Sequence, residues 1–144
     1  METEPTVGAL RVSFVDMLRD LWPHDDVRCA RQVRCDPEGL CVVLRVGEVD
    51  VRLTHPHEES PHVVAEFELG PLPQGNGRAA LLQLLEMNGE LKQCGGIGFG
   101  IDADGYSVIY REPIALAGKD AEALLEVLHV RRVWTSAWFE EWYG

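Results

Sequence analysis

The sequence predicts an α+β fold in which helices pack on one twisted antiparallel sheet, in the order α-β-β-β-α-β-β-α. Three observations predict it. Apolar residues repeat at helical spacing near both ends of the chain, they alternate at strand spacing in between, and no parallel strand-helix-strand crossover is visible. With 144 residues, 46% of them apolar and 26% charged, the chain is expected to form one domain, residues 1–144, with a core of its own.

The first helix is predicted from apolar residues between Leu10 and Trp22, which fall on one helical face before Pro23. Residues 24–39 have no clear period, so we expect them to be irregular or to form one short edge strand. From residue 40 the period becomes that of a hairpin, because the apolar run LCVVLRV precedes a two-residue turn and an alternating VDVRLT. A first helix followed by two antiparallel strands is the result.

Five further elements follow the first hairpin. The alternation from Val63 to Leu69 predicts a third strand after the loop HPHEESPH. The run LLQLL predicts a short, very apolar helix that ends at Asn88 and Gly89. The segments GGIGFGI and YSVIY then flank an Asp-Gly turn and predict a second hairpin. Finally, Gly118, Lys119 and Asp120 are predicted to open a closing helix, in which apolar and tryptophan residues repeat at helical spacing up to Trp142 and form an aromatic face.

The charge of the chain excludes some partners. The formal net charge is −11, which would repel nucleic acid and anionic lipid. No run approaches the roughly 20 apolar residues of a membrane helix, and the start METEPTVGAL lacks the features of a signal peptide. We therefore expect a cytoplasmic protein that binds neither nucleic acid nor membrane. The four cysteines match neither a redox nor a zinc spacing, so reduced thiols are expected.

The sequence contains no signature of an enzyme. The glycines between Gly95 and Gly100 match no phosphate-binding spacing and suit a strand better. One dense group of potential metal ligands lies in the loop after the first hairpin, and imidazole and carboxylate there could hold zinc or nickel. Two prolines favour a solvated acidic loop instead. We expect no catalytic residue, no metal and no cofactor. The ligand group consists of His55, His57, Glu58 and His62.

Apolar residues exceed what five short strands and three helices easily bury in one subunit. The leucine-rich middle helix has apolar residues on more than one face, and the last helix carries a tryptophan stripe. Such a surplus indicates a dimer or a groove for a hydrophobic ligand, and packing of these residues in the core of one subunit is the alternative. An acidic surface beside an apolar groove would suit a basic or amphipathic peptide.

Four segments together resemble the class I chaperones of bacterial type III secretion, which hold effectors before export. The segments are LGPLP, LLQLLEMNGEL, GGIGFGIDADGYSVIYREPI and the aromatic ending WTSAWFEEW, and the resemblance covers Leu10 to Trp142. It implies a homodimer without catalysis or cofactor, which binds a segment near the N-terminus of one or a few effectors and keeps it extended, soluble and export-competent. The ATPase of the secretion system is a further candidate partner.

The resemblance also assigns roles to residues. The dimer interface is expected to contain Leu81, Leu82, Leu85, Ile97, Phe99 and Ile101. The effector groove is expected to be drawn from Phe14, Leu18, Leu40, Val42, Leu44, Val49, Val51 and Leu53, some of which must form the core instead. The alternative is a small dimeric adaptor or signalling domain of the same shape that binds a folded partner protein.

Overall fold

The computed structural model describes residues 9–21, 27–33, 39–71, 79, 82, 98–101 and 107–143, with the backbone alone described for residues 27–33, 142 and 143. Two helices and six strands lie in these residues. They are α1 (Ala9–Leu21), β1 (Val27–Val33), β2 (Leu40–Val46), β3 (Val49–His55), β4 (His62–Pro71), β5 (Gly98–Ile101), β6 (Ser107–Ala115) and α2 (Ala121–Tyr143).

All six strands belong to one antiparallel sheet in the order β1-β2-β3-β4-β6-β5. The predicted α+β class is therefore confirmed, as are the meander of three strands and the pairing of the second hairpin. The sheet has one strand more than the five that the apolar pattern predicts. Strand β1 is the short edge strand that was one of the two possibilities for residues 24–39. It pairs with β2 despite its mixed composition, because strand pairing uses backbone hydrogen bonds.

The hairpin of β2 and β3 has the predicted two-residue turn, because Val46 pairs with Val49. Gly47 adopts a φ of 63°, which L side chains rarely adopt, and the guanidinium of Arg132 lies directly over it. A Cβ atom at this position would lie 3.1 Å from Arg132 Cζ. The glycine thus allows both the turn and the close approach of helix α2.

Both helices pack on one face of the sheet. Register places Leu44, Val51, Phe67 and Tyr110 side by side across four strands, and all four side chains are buried. The same core cluster includes Phe14 of α1 and several leucines of α2. Packing of two helices on one sheet face buries the apolar stripe of each helix, which is the dominant stabilising contribution.

Helix α2 begins where the sequence predicts it. The Oδ1 atom of Asp120 accepts a hydrogen bond of 2.9 Å from the amide of Ala123, which is the geometry of an N-cap. The preceding turn is closed by the amide of Lys119, which donates to the carbonyl of Leu116 over 3.2 Å. In the part of the chain that the structure describes, neither helix has the length and apolar composition that a membrane span requires.

Two predicted features fall largely outside the described residues. Of the middle helix, Ala79 and Leu82 are described, and both have helical backbone and exposed side chains. The remainder of that helix, and the turn at Asp104 and Gly105, stay predictions.

Candidate functional site

The residues predicted for the effector groove are mostly core residues. Six of the eight have exposed fractions of 9% or less and belong to the core cluster, so their side chains present almost no surface to a ligand in this structure. These six are Phe14, Leu18, Val42, Leu44, Val51 and Leu53. Leu40 and Val49 are partly buried and pack against the edge of the core. The groove assignment therefore reduces to these two residues and their surroundings.

Strand β2 explains why the groove residues could not be separated from the core by sequence. Cys41 and Val43 point away from the helices, yet their exposed fractions are only 0% and 8%. Both faces of the strand are buried from Cys41 to Leu44, so this part of its sequence is an apolar run without the alternation that would identify one wet face. The run predicts the strand but gives no sign of which side chains a ligand can reach.

The described members of the predicted dimer interface have different environments. Leu82 is 55% exposed, whereas Phe99 is only 3% exposed and stacks on Trp138 at a ring-centroid distance of 4.1 Å. Ile101 is partly buried against the core. Phe99 is thus a core residue of its own subunit, and the other predicted interface residues lie outside the described part: Leu81, Leu85 and Ile97.

A stripe of large apolar side chains is exposed on helix α2. Val130, Val133 and Trp134 are 52%, 57% and 44% exposed, and the exposed Ala137 continues the stripe by one turn. Their spacing of three and four residues places them on one helical face. We call this set the α2 stripe. It is part of the surplus apolar surface that the sequence indicates. Val130, Trp134 and Ala137 belong to the apolar pattern that predicts the closing helix, whereas Val133 does not.

The α2 stripe adjoins strand β5 through an aromatic cluster. The Trp134 ring contacts Phe99 at 6.1 Å and meets Tyr110 edge-on at 5.5 Å, both measured between centroids. Phe99 also contacts Tyr110 at 5.0 Å. Strand β5 lies at the edge of the described sheet. An apolar helix face and an edge strand are therefore neighbours on the same side of the molecule.

An ion pair fixes helix α2 on the sheet below the stripe. The buried Glu112 of β6 accepts a 2.6 Å hydrogen bond from Arg131 Nε and a 2.8 Å hydrogen bond from the hydroxyl of Tyr110. The hydrogen bond to Glu112 raises the pKa of Arg131 above its ordinary value. The position of α2, and with it the stripe, is set by this bonded group as well as by apolar packing.

The potential metal ligands in and next to the loop after β3 have different environments. His55 is fully buried, its Nε2 donates to the carbonyl of Ser60 over 2.9 Å, and its Nδ1 accepts from Arg11 Nε over 2.8 Å. Both ring nitrogens are thereby occupied, whereas His57 and Glu58 are exposed. Among the described residues, no group of three or more side chains is placed to hold a metal ion.

The environment of His55 keeps its ring neutral. Burial lowers the pKa of His55 below 6.5, the hydrogen bond to the carbonyl of Ser60 opposes this, and the positive charges of Arg11 and His57 add to the lowering. Phe14 packs against the ring at a centroid distance of 5.4 Å. One signal in the sequence could have identified this role: position 55 continues the alternation of Val51 and Leu53, and so faces the core.

The expectation of reduced thiols is wrong for Cys41, whose sulfur forms a disulfide. The same sulfur lies 3.3 Å from the hydroxyl of Thr54 on the neighbouring strand. The spacing of the cysteines along the sequence gives no sign of this bond. Structural disulfides are typical of oxidising compartments, and thiols in the cytosol are kept reduced, so in a cytoplasmic setting Cys41 would be a thiol.

Comparisons with known proteins add one finding. No protein-family model matches the chain, and no curated protein matches it. Among solved structures, the chain is similar to a chain of the heterodimeric complex ExoU-SpcU from the type III secretion system of Pseudomonas aeruginosa, with 17% identity and a TM-score of 0.42 over 88% of this chain and 92% of the other. A TM-score of this size does not assign a shared fold.

Proposed function

We propose that this protein is a homodimeric chaperone of bacterial type III secretion that binds the N-terminal segment of one or a few effectors. In this role it keeps the segment extended, soluble and export-competent in the bacterial cytoplasm. The observation that carries the proposal is the α2 stripe, three large apolar side chains exposed together next to the edge strand β5. A contiguous exposed apolar surface of this kind is typical of a protein interaction site.

We assign the α2 stripe and the edge of β5 to the contact between two copies of the chain. A second copy can contact β5, the edge strand of the described sheet, while its own stripe covers the first. The described Leu82, which is 55% exposed, belongs to the helix that the resemblance also places at this interface. Covering both surfaces at once would remove the largest exposed apolar side chains of α2 from water.

The effector segment is assigned to the remaining surface of the dimer. The resemblance in LGPLP, LLQLLEMNGEL and the glycine-led hairpin supports a partner that binds as an extended chain. Binding of a disordered segment buries about 1,000–3,000 Å² and orders the segment at the moment of binding, which makes release by the export machinery feasible. Leu40 and Val49, partly buried at the margin of the core, are the described residues from which this contact would start. The secretion ATPase is the candidate for release.

The test is capture of the client in the bacterium that encodes the chain, followed by mapping of the bound segment. A tagged protein is cross-linked lightly, its partners are identified by mass spectrometry, and each partner is truncated to its N-terminal hundred or so residues, a length typical of a segment that can cover this surface. Sedimentation of the free protein gives its oligomeric state. A dimer that retains such truncated segments, disordered when free, supports the proposal.

Two results contradict it. A monomeric free protein removes the dimer. A dimer that captures only folded proteins, through folded domains, favours the adaptor or signalling alternative.

A further inference from the structure

An open cleft lies between helix α1 and the N-terminus of helix α2. Its volume is about 390 Å³, at the small end of ligand pockets. The floor and walls include Val12, Met17 and Ala121, and Val12 is 55% exposed although it is a large apolar residue. A cleft of this size can take one or two side chains of a peptide, but not the surface of a folded domain.

The rim of the cleft is acidic. Asp16, Asp20 and Asp120 line it together with a single described cation, Lys119. The ion pair of Asp16 with Arg19 is 3.3 Å long, and both side chains are more than half exposed, so a competing cation can displace Arg19 at little cost. Three carboxylates against one ammonium give the rim the sign of the whole chain, whose net charge is −11.

Both walls of the cleft are held by the same loop. The amide of Arg11, in the first turn of α1, donates to the carbonyl of Glu58 over 3.1 Å. The amide of Leu116, which begins the turn before α2, donates to the carbonyl of Pro61 over 2.9 Å. The cleft is thus a built feature, since residues 56–61 set the distance between its two sides.

We infer that this cleft binds a basic segment of a partner protein, in which an apolar side chain enters the cleft and neighbouring Arg or Lys residues pair with the rim. The exposed Val12 supplies the apolar contact, and Asp16, Asp20 and Asp120 supply the charge complementarity. The inference rests on the proposed function in that it gives the chemistry of one part of the client segment. The cleft is a different surface from the proposed dimer and effector contacts, because it contains neither the α2 stripe nor Leu40 and Val49.

The test uses the full-length protein, labelled with ¹⁵N, and two short synthetic peptides. The first alternates Leu with Arg and Lys, and in the second every Arg and Lys is replaced by Gln. Amide shifts in the NMR spectrum locate the bound peptide, and calorimetry measures its affinity. We expect shifts confined to α1 and residues 119–123, weaker binding as NaCl is raised from about 0.05 M to about 0.5 M, and little binding of the second peptide.

Matched variants separate the two contributions. Val12→Ser should weaken the basic peptide about fivefold, because an apolar contact is lost. Val12→Ile, which keeps an apolar side chain at the same exposed position, should leave the affinity within about twofold. Asp20→Asn should weaken binding about threefold at low salt, and Glu126→Gln, an exposed acid of α2 outside the cleft, should not. All three positions are on the surface, so folding should be retained.

Several results would overturn the inference. The first three are equal binding of the Gln peptide, amide shifts that lie outside the cleft, and equal effects of the test and control variants. A fourth is a change in the sedimentation of the peptide-free Val12→Ser variant, which would place a second copy of the chain in the cleft. A fifth is binding of the peptide that requires removal of residues 1–8. If effector capture is unaffected by Val12→Ser and Asp20→Asn, the inference fails while the proposed function stands. If the peptide binds in the cleft but no client is captured, the reverse holds.

Discussion

At the scale of single residues, His55 has the clearest consequence for stability. The side chain is buried and neutral in the folded protein, and its pKa there is lowered mainly by burial. The unfolded chain therefore binds a proton at a higher pH than the folded chain does. The free energy of unfolding should accordingly be constant above the unfolded pKa of about 6.5 and should fall as the pH decreases below it.

Urea denaturation between about pH 5 and pH 8 measures this dependence. His55→Gln should lower stability at neutral pH by about 1–3 kcal/mol, because Arg11 and Ser60 lose a partner of matching geometry. The same variant should show a smaller decline in acid. His57→Gln is the matched control, since His57 is exposed in the same loop. An equal acid-dependent decline in the His55 variant and the wild type would contradict the assignment.

Gly70 is a second residue whose identity the structure requires. It has a φ of 155° beside an irregularity in the pairing of β4 with β6, and a Cβ atom there would lie 2.7 Å from two ring atoms of Phe139. Gly70→Ala should therefore destabilise the protein by about 2 kcal/mol in thermal or urea unfolding. Phe139→Leu in the same chain should recover part of this loss.

Gly100→Ala is the control for that substitution. The nearest atom to a Cβ at Gly100 is Cγ1 of Ile109, at an ordinary contact distance of 3.9 Å. This variant should change stability by less than about 0.5 kcal/mol. If both glycine variants lost the same stability, the contact with Phe139 would not be the cause.

At the scale of elements, the pair of Glu112 and Arg131 joins strand β6 to helix α2. A double-mutant cycle with Glu112→Gln and Arg131→Met should give a coupling energy of about 1–2 kcal/mol, below the value for a fully buried pair because the Arg131 side chain is 38% exposed. Arg131→Met alone should cost more than the coupling, because it leaves a buried carboxylate with Tyr110 as partner.

The comparison is the pair of Arg45 and Asp50, which are 3.6 Å apart with side chains 52% and 41% exposed. The same cycle there should give less than about 0.5 kcal/mol. Equal coupling energies for the two pairs would show that burial of Glu112 does not strengthen its ion pair.

Helices and strands whose apolar residues repeat at a regular spacing could be predicted from the sequence. Which of their side chains are buried in the core could not. The turn at Gly47, strand β3 up to Thr54 and the start of helix α2 at Asp120 follow from local pattern alone, whereas His55, predicted in the loop, is the last residue of the strand. Strand β1 could not be predicted with certainty, because its mixed sequence gains its conformation from pairing with β2. For the same reason, no local signal separated Val42 and Leu44, which are core, from Leu40 and Val49, which are not.

At the scale of the whole molecule, the α2 stripe predicts how the chain associates. Val133→Asp should convert a dimer into a monomer in sedimentation equilibrium, because a charge would be buried at an apolar contact. The residue is 57% exposed in the single chain, so the variant should still fold. Val12→Asp introduces the same change at a side chain that is 55% exposed on α1 and should leave the dimer intact. An intact dimer of the Val133 variant would remove the stripe from the interface.

The loop that holds both walls of the cleft also links two equilibria. A proton on His55 Nδ1 would oppose the hydrogen bond from Arg11 and so loosen the wall on the α1 side, whereas an occupied cleft favours the bonded arrangement. The two effects must be reciprocal: a bound basic peptide should lower the midpoint of His55 titration in NMR, and acid should weaken the peptide by the same factor. A fall in pH would then favour release of the peptide through protonation of the buried His55 ring and not through the carboxylates of the rim.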